Sequence, residues 1–152
     1  MKLPDREKLL KYSQNKVSQE MCLNIIPVAK PRMTQADKWK KRVIVLQYWA
    51  YRDEIFYRAL AQGYRPSFEL IMEFIIPMPK SWPEIKKVKM DGVAHQQTPD
   101  IDNLEKAILD SLFLDDKKVH KVMASKIWGR SGKVTIKNWY RPYASLQVDR
   151  TS

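Results

Sequence analysis

The sequence predicts an α+β domain, a small mixed β-sheet with a helix or two packed on one face. Three observations predict it. Phe68, Leu70, Met72, Phe74 and Ile76 alternate at period two, the mark of a strand with one face on a core. Leu104, Ala107, Ile108, Ser111 and Leu112 fall at i, i+3, i+4, i+7 and i+8, a narrow apolar stripe on a helix over 103–113. Two further strand-like runs, 119–128 and 133–139, flank Gly129-Arg130-Ser131-Gly132, which reads as a hairpin turn.

The remaining elements follow in chain order. Residues 5–19 read as a short polar helix or loose arm with Leu9, Leu10 and Val17 as its few apolar anchors. Residues 1–20 are therefore assigned to a peripheral N-terminal arm, and 21–152 to the folded domain. Residues 21–28 read as a strand, with Cys22 as inert packing in it. Ala29 to Lys41 is basic, holds Pro31 and reads as a loop. A helix is expected from Val43 to Gln62, with Val45, Trp49, Arg52, Phe56 and Leu60 as its stripe and Gly63 as its stop. Pro77, Pro79 and Pro83 end the alternating strand and open a long basic loop to about Thr98. No internal repeat is present.

Composition narrows the class. The 152 residues are 44% hydrophobic and 30% charged, enough apolar material for a core in one domain. The longest apolar runs, such as Phe74-Ile75-Ile76 and Val43 to Leu46, are too short for a transmembrane helix. The opening Met1-Lys2-Leu3-Pro4-Asp5-Arg6 has no secretory apolar region, and the one cysteine cannot make an internal disulfide. A reducing, cytoplasmic setting is expected.

Charge points to a partner. Lys and Arg number 28 against 17 Asp and Glu, a net charge of +11, and nucleic acid is the leading polyanionic partner. Six basic residues between Lys30 and Arg42 face one acid, and four lysines between Lys80 and Lys89 face Glu84. The sign reverses between Asp100 and Asp116, where six acids stand with Lys106 as the lone base. Such an island reads either as a solvated helix face or as a cation site that bridges the protein to phosphate. Clustered carboxylates repel one another until a cation neutralises them, and hard oxygen ligands suit Mg²⁺, with Mn²⁺ as a substitute.

In Thr98-Pro99-Asp100-Ile101-Asp102-Asn103-Leu104-Glu105-Lys106 the proline favours extended backbone before it. If 98–102 is extended, Asp100 and Asp102 face the same side and can share a metal. The plainer alternative is a capping box of Asp102 and Glu105, contributing about 1 kcal/mol. That alternative leaves Asp100 and the later pair Asp115-Asp116 unexplained. A short helix can return the chain so that Asp116 completes a three-carboxylate cluster. Lys106 is then either a surface lysine or a group reaching a phosphate or an attacking water. The chemistry that needs this set is phosphodiester hydrolysis, in which a bound divalent ion offsets phosphate charge and activates water. No glycine-rich phosphate loop or nucleophile elbow competes with it. His95 and His120 read as surface or packing residues. A non-catalytic nucleic-acid-binding protein, and a nuclease for other branched or flapped DNA, are the alternatives.

At these residues the sequence resembles the RusA family of Holliday junction resolvases, especially its phage and prophage branch. Pro99-Asp100-Ile101-Asp102-Asn103-Leu104 with Lys106, then Ala107, Asp110, Leu112 and Asp115-Asp116, carry the likeness. Lys30-Pro31-Arg32-Met33-Thr34, Asp37-Lys38-Trp39-Lys40 and Pro77-Met78-Pro79-Lys80-Ser81-Trp82 extend it to roughly residues 22–139. The resemblance implies a RusA-like fold and a homodimeric, Mg²⁺-dependent endonuclease that places paired symmetric nicks in four-way DNA junctions. It implies Asp100, Asp102 and Asp116 as metal-binding catalytic aspartates and Lys106 as the active-site lysine. Arg32, Lys38, Lys40, Lys80, Lys86 and Lys87 are expected to hold DNA arms through phosphates, contacts that fix position and carry little sequence information. Trp39 and Trp82 lie in the same basic stretches and either pack or stack on bases.

Overall fold

A computed structural model describes residues 18–38 and 42–139 of the chain. Its elements run β1 (Glu20–Leu23), a 3-10 turn (Gln35–Lys38), α1 (Val43–Gln62), β2 (Glu69–Pro77), α2 (Glu84–Met90), α3 (Ile101–Leu112), a second 3-10 turn (Asp116–Lys118), β3 (Lys121–Gly129) and β4 (Lys133–Asn138). The four strands form one sheet in the order β1-β4-β2-β3. β2 runs parallel to β3, and β4 runs antiparallel to both β1 and β2. The sheet is therefore mixed and the fold α+β, as its sequence predicts. No helix among the described residues is long and apolar enough to cross a membrane.

One core joins one face of the sheet to two helices. Met21, Leu23, Leu70, Met72, Phe74, Val134 and Ile136 are buried together with Tyr48, Tyr51, Ile55 and Ala59 of α1 and Leu104, Ala107 and Ile108 of α3. The alternation in β2 places Leu70, Met72 and Phe74 on this face. α1 has the expected bounds, and Gly63 closes it in the left-handed region at φ 66°, its N–H donating to Leu60 O at 3.1 Å. Its buried stripe is rotated from the expected one. Tyr48, Tyr51, Ile55 and Ala59 carry the packing beside Val45 and Phe56, while Trp49 lies at the surface. The tyrosine rings fill the core with their apolar bodies, which shifts the inward face toward them.

Three expectations are corrected. Residues 84–90 form a helix, not part of a long loop. α2 has no buried residue, and its exposed Ile85 and Val88 form too short a pattern over seven residues to reveal a helix in a sequence. Its ends do follow helix electrostatics, with Pro83 and Glu84 at the start and Lys87 and Lys89 in the last turn. Gly129 to Gly132 is not a hairpin turn, because β2 lies between β3 and β4 and the connection passes around the end of β2. The glycines serve close approach. A Cβ on Gly129 would stand 2.2 Å from Ile75 Cγ2, and one on Gly132 2.6 Å from the Ile26 backbone. Third, Cys22 is exposed rather than packed in the core. β1 ends at Leu23, well short of residue 28, and with Met21 and Leu23 facing inward its period turns Cys22 outward. Residues 1–17, most of the expected arm, lie outside the described residues.

Candidate active site

α3 is the element on which the site is built. Leu104, Ala107, Ile108, Leu109, Ser111 and Leu112 are buried against the core, so the helix is held along its length. The opposite stripe carries Asp102, Lys106 and Asp110 at successive i, i+4 spacings, where side chains on a helix are neighbours. The helix begins at Ile101, two residues before the expected start. Asp100 is its N-cap residue, with extended backbone at φ −70° and ψ 144° and no side-chain capping bond. The strand argument for pairing Asp100 with Asp102 therefore does not apply. They are neighbours at one helix start instead. Nor is the capping box of Asp102 and Glu105 formed, since the cap falls on Asp100. Asp102 Oδ1 accepts from the Asn103 N–H at 2.9 Å. Burial, aided by the charge of Asp102, raises the pKa of Glu105 above the ordinary carboxylate value.

Past α3, Asp115 accepts the Lys117 N–H at 3.1 Å and starts the 3-10 turn that carries Asp116. This short return brings Asp116 to Lys106, whose ammonium donates to Asp116 Oδ2. Lys106 also lies 3.4 Å from Asp110 Oδ1. The hydrogen bond to Asp116 raises the pKa of Lys106, with partial burial opposing it and the charges of Asp110 and Asp116 adding to it.

Asp110 is a second centre that sequence reading did not single out as a site. Its Oδ2 receives Lys30 Nζ at 2.8 Å and the Tyr48 hydroxyl at 2.7 Å. Burial pushes the Asp110 carboxyl up, but the hydrogen bonds of Lys30 and Tyr48 and the charges of Lys30 and Lys106 outweigh it and hold the pKa low. The Tyr48 hydroxyl moves the other way, raised by burial and by its bond to Asp110. Lys30 is fixed from its backbone too, its N–H donating to Asn103 O at 2.9 Å. The result is an alternating chain of charge, Lys30, Asp110, Lys106 and Asp116, along one side of α3.

A third lysine supports the approach to Asp100. Lys126 of β3 donates to Pro99 O at 2.7 Å and also to Gln97 O, so it grips the segment that leads into α3. Its signal was present in the sequence. Val122, Ala124, Lys126 and Trp128 share one register, and a lysine on the face of a strand that meets apolar groups calls for a partner.

Beside it, His95 is 3% exposed and packs on Trp128 with the rings tilted by 53° and their centroids 4.2 Å apart. Its backbone N–H donates to Lys126 O at 3.0 Å. Burial, with the charge of Lys126 added, holds the pKa of the imidazole below 6.5. A base with a depressed folded pKa costs stability when the unfolded state takes up a proton that the folded state refuses. Denaturant unfolding is therefore expected to show stability falling as pH drops below about 6.5, by at most about 1.4 kcal/mol per pH unit from this group. In His95→Phe that component should vanish.

The expected DNA-holding residues are dispersed. Arg32 is exposed, and Lys80, Lys86 and Lys87 lie on or just before α2. Arg130 meets Glu84 of α2 through its two terminal guanidinium nitrogens at 3.0 and 2.6 Å. Trp82 packs on Trp128 at 4.8 Å with Lys86 Nζ 4.0 Å above its ring, so its packing role is realised. Lys38 lies on the first 3-10 turn. Lys40 and Trp39 lie outside the described residues.

The matched family joins these observations. The model of endodeoxyribonuclease RusA matches residues 24–137, a span that holds α3, both 3-10 turns and all the charged groups just described. This chain belongs to the RusA family. The RusA family is one of junction-resolving endonucleases, hydrolases that act on DNA. No curated protein sequence matches the chain.

Hard carboxylate oxygens are the donors Mg²⁺ and Mn²⁺ prefer, so Asp100, Asp102 and Asp116 fit such an ion in chemistry. The Lys106 ammonium already stands as a cation beside Asp116 and Asp110. Among the described residues, no three of His, Cys, Asp and Glu are grouped so as to hold a metal. In this RusA-family chain the described arrangement pairs Asp116 with Lys106, while Asp100 and Asp102 sit at the helix start.

Proposed function

We propose that the chain is a Mg²⁺-dependent resolvase that cuts four-way DNA junctions as a homodimer, with paired symmetric nicks, in recombination and repair inside the cytoplasm. The observation that carries this reading is the contact of Lys106 with Asp116 beside the helix whose start carries Asp100 and Asp102. Four residues that the family resemblance marks thus belong to one helix and the turn after it.

In the proposed mechanism Asp100, Asp102 and Asp116 would hold Mg²⁺, which would supply charge neutralisation at the scissile phosphate and a water of lowered pKa. Lys106 meets the phosphate or orients that water. Asp110 anchors the stripe by gathering Lys30 and Tyr48, and Lys126 fixes the carbonyls just before Asp100. Exposed Arg32, Lys80 and Lys86 offer charge to DNA phosphates, and Lys87 shares α2 with Lys86. A closed two-fold dimer presents two identical sites to a junction that itself has near two-fold symmetry.

The test is a labelled four-way junction incubated with the protein in Mg²⁺ and in EDTA, with Y-forks and flaps in parallel. Cleavage of the junction in Mg²⁺ alone is expected, with symmetric product ends. Sedimentation of the protein is expected to give twice the chain mass. Binding without cleavage in Mg²⁺ and in Mn²⁺ would leave a non-catalytic DNA-binding protein. Faster cutting of forks or flaps would change the substrate.

A further inference from the structure

Asp116 and Asp110 lie on either side of the Lys106 ammonium, but they do not depend on it equally. Asp110 already receives Lys30 at 2.8 Å and Tyr48 at 2.7 Å, and Lys106 stands farther off at 3.4 Å. For Asp116 the paired cation among the described residues is Lys106. The two side chains are 42% and 30% exposed, so the pair is open to exchange with an ion from solvent. An ammonium and a divalent cation cannot share the same carboxylate oxygen without strong repulsion between them.

We propose that Lys106 is an internal counter-ion that holds Asp116 in the metal-free protein and gives it up when Asp116 turns to a divalent cation beside Asp100 and Asp102. The same exchange frees the ammonium to meet a phosphate, so Lys106 becomes available for DNA only in the loaded site. The inference rests on the reading of those three aspartates as metal ligands. It gives a charge-balanced resting state, in which a lysine at an acidic cluster relieves carboxylate repulsion.

The exchange has a consequence opposite in sign to that of a supporting ligand. Removing a competitor tightens metal binding, whereas removing a support weakens it. The experiment measures free Mn²⁺ by electron paramagnetic resonance as it is titrated with the full-length protein, without DNA. Lys106→Met is expected to lower the Mn²⁺ Kd about three- to fivefold, the size set by a half-exposed ion pair. Lys106→Arg, which keeps the pair, should stay within about twofold of wild type by the same scale. Lys117→Met is the charge control, since it removes an equal charge from an exposed pair with Asp115 at 3.2 Å, next to Asp116 in the chain. It too should stay within about twofold.

Unchanged or weaker Mn²⁺ binding by Lys106→Met overturns the exchange, and so does equal tightening by Lys117→Met. No measurable binding by either wild type or Lys106→Met overturns it as well. Failure of the underlying reading looks different. If Asp100→Asn and Asp116→Asn bind Mn²⁺ as wild type does, the three-aspartate site itself falls, whatever Lys106→Met does.

Discussion

Asp100→Asn and Asp102→Asn are each expected to lower junction cleavage at least about 1,000-fold, some 4 kcal/mol of transition-state stabilisation. Junction binding should persist in both. The substitutions keep size and shape and remove one negative charge each, the property that a metal site needs and a folded helix start does not. Asp100 makes no side-chain cap bond, so its carboxylate is not used to start α3. Asp102 accepts a single N–H from Asn103, a bond that an asparagine oxygen can also accept. Both variants should therefore unfold within about 1 kcal/mol of the parent. Single-turnover cleavage under saturating protein, with gel-shift binding in EDTA, separates the two effects. A variant that cuts at the parental rate loses its assigned metal role.

The second large effect lies in the core. Phe74→Ala is expected to destabilise the fold by about 3–5 kcal/mol, read as a drop in the denaturant midpoint with unchanged slope. Phe74 is 1% exposed on β2, with Lys126 of β3 opposite it on one side and Val134 of β4 on the other. Truncating it leaves a void in the layer that supports α1 and α3. Against a usual total of about 5–15 kcal/mol, that loss is a large share. Loss below about 1 kcal/mol would mean that the helices collapse into the gap, and the sheet face would then be far softer than its burial indicates.

What the sequence revealed follows from what local pattern can carry. β2 and the buried stripe of α3 were legible because each repeats its apolar residues at its own period over many positions, whereas α1 was legible in its bounds but not in its inward face, where tyrosines carry the packing. α2 was not legible, because it is only seven residues long and its apolar Ile85 and Val88 stay exposed instead of joining a core stripe. The order of strands was illegible for a deeper reason. Gly129 and Gly132 look like turn glycines, but they are demanded by Ile75 and by the Ile26 backbone, contacts remote in the chain. The same division holds at the site. Asp100, Asp102, Lys106 and Asp116 lie within one short stretch and share a recognisable spacing. Tyr48 and Lys126 come to it from another helix and a strand, where they look like ordinary residues of their types, and Lys30 comes from a loop whose Lys30-Pro31-Arg32-Met33-Thr34 carries the family likeness without marking a role for the lysine. Only the misplaced register of Lys126 gave a local sign.

The central position of β2 has a consequence for biogenesis. Both of its neighbours, β3 and β4, are encoded after it, so while the ribosome is still making the segment that holds α2 and α3 the nascent chain carries this apolar strand with two bare edges. Synthesis must reach Asn138 before both edges are closed, and a stalled or truncated product is a natural client for chaperones or a seed for aggregation.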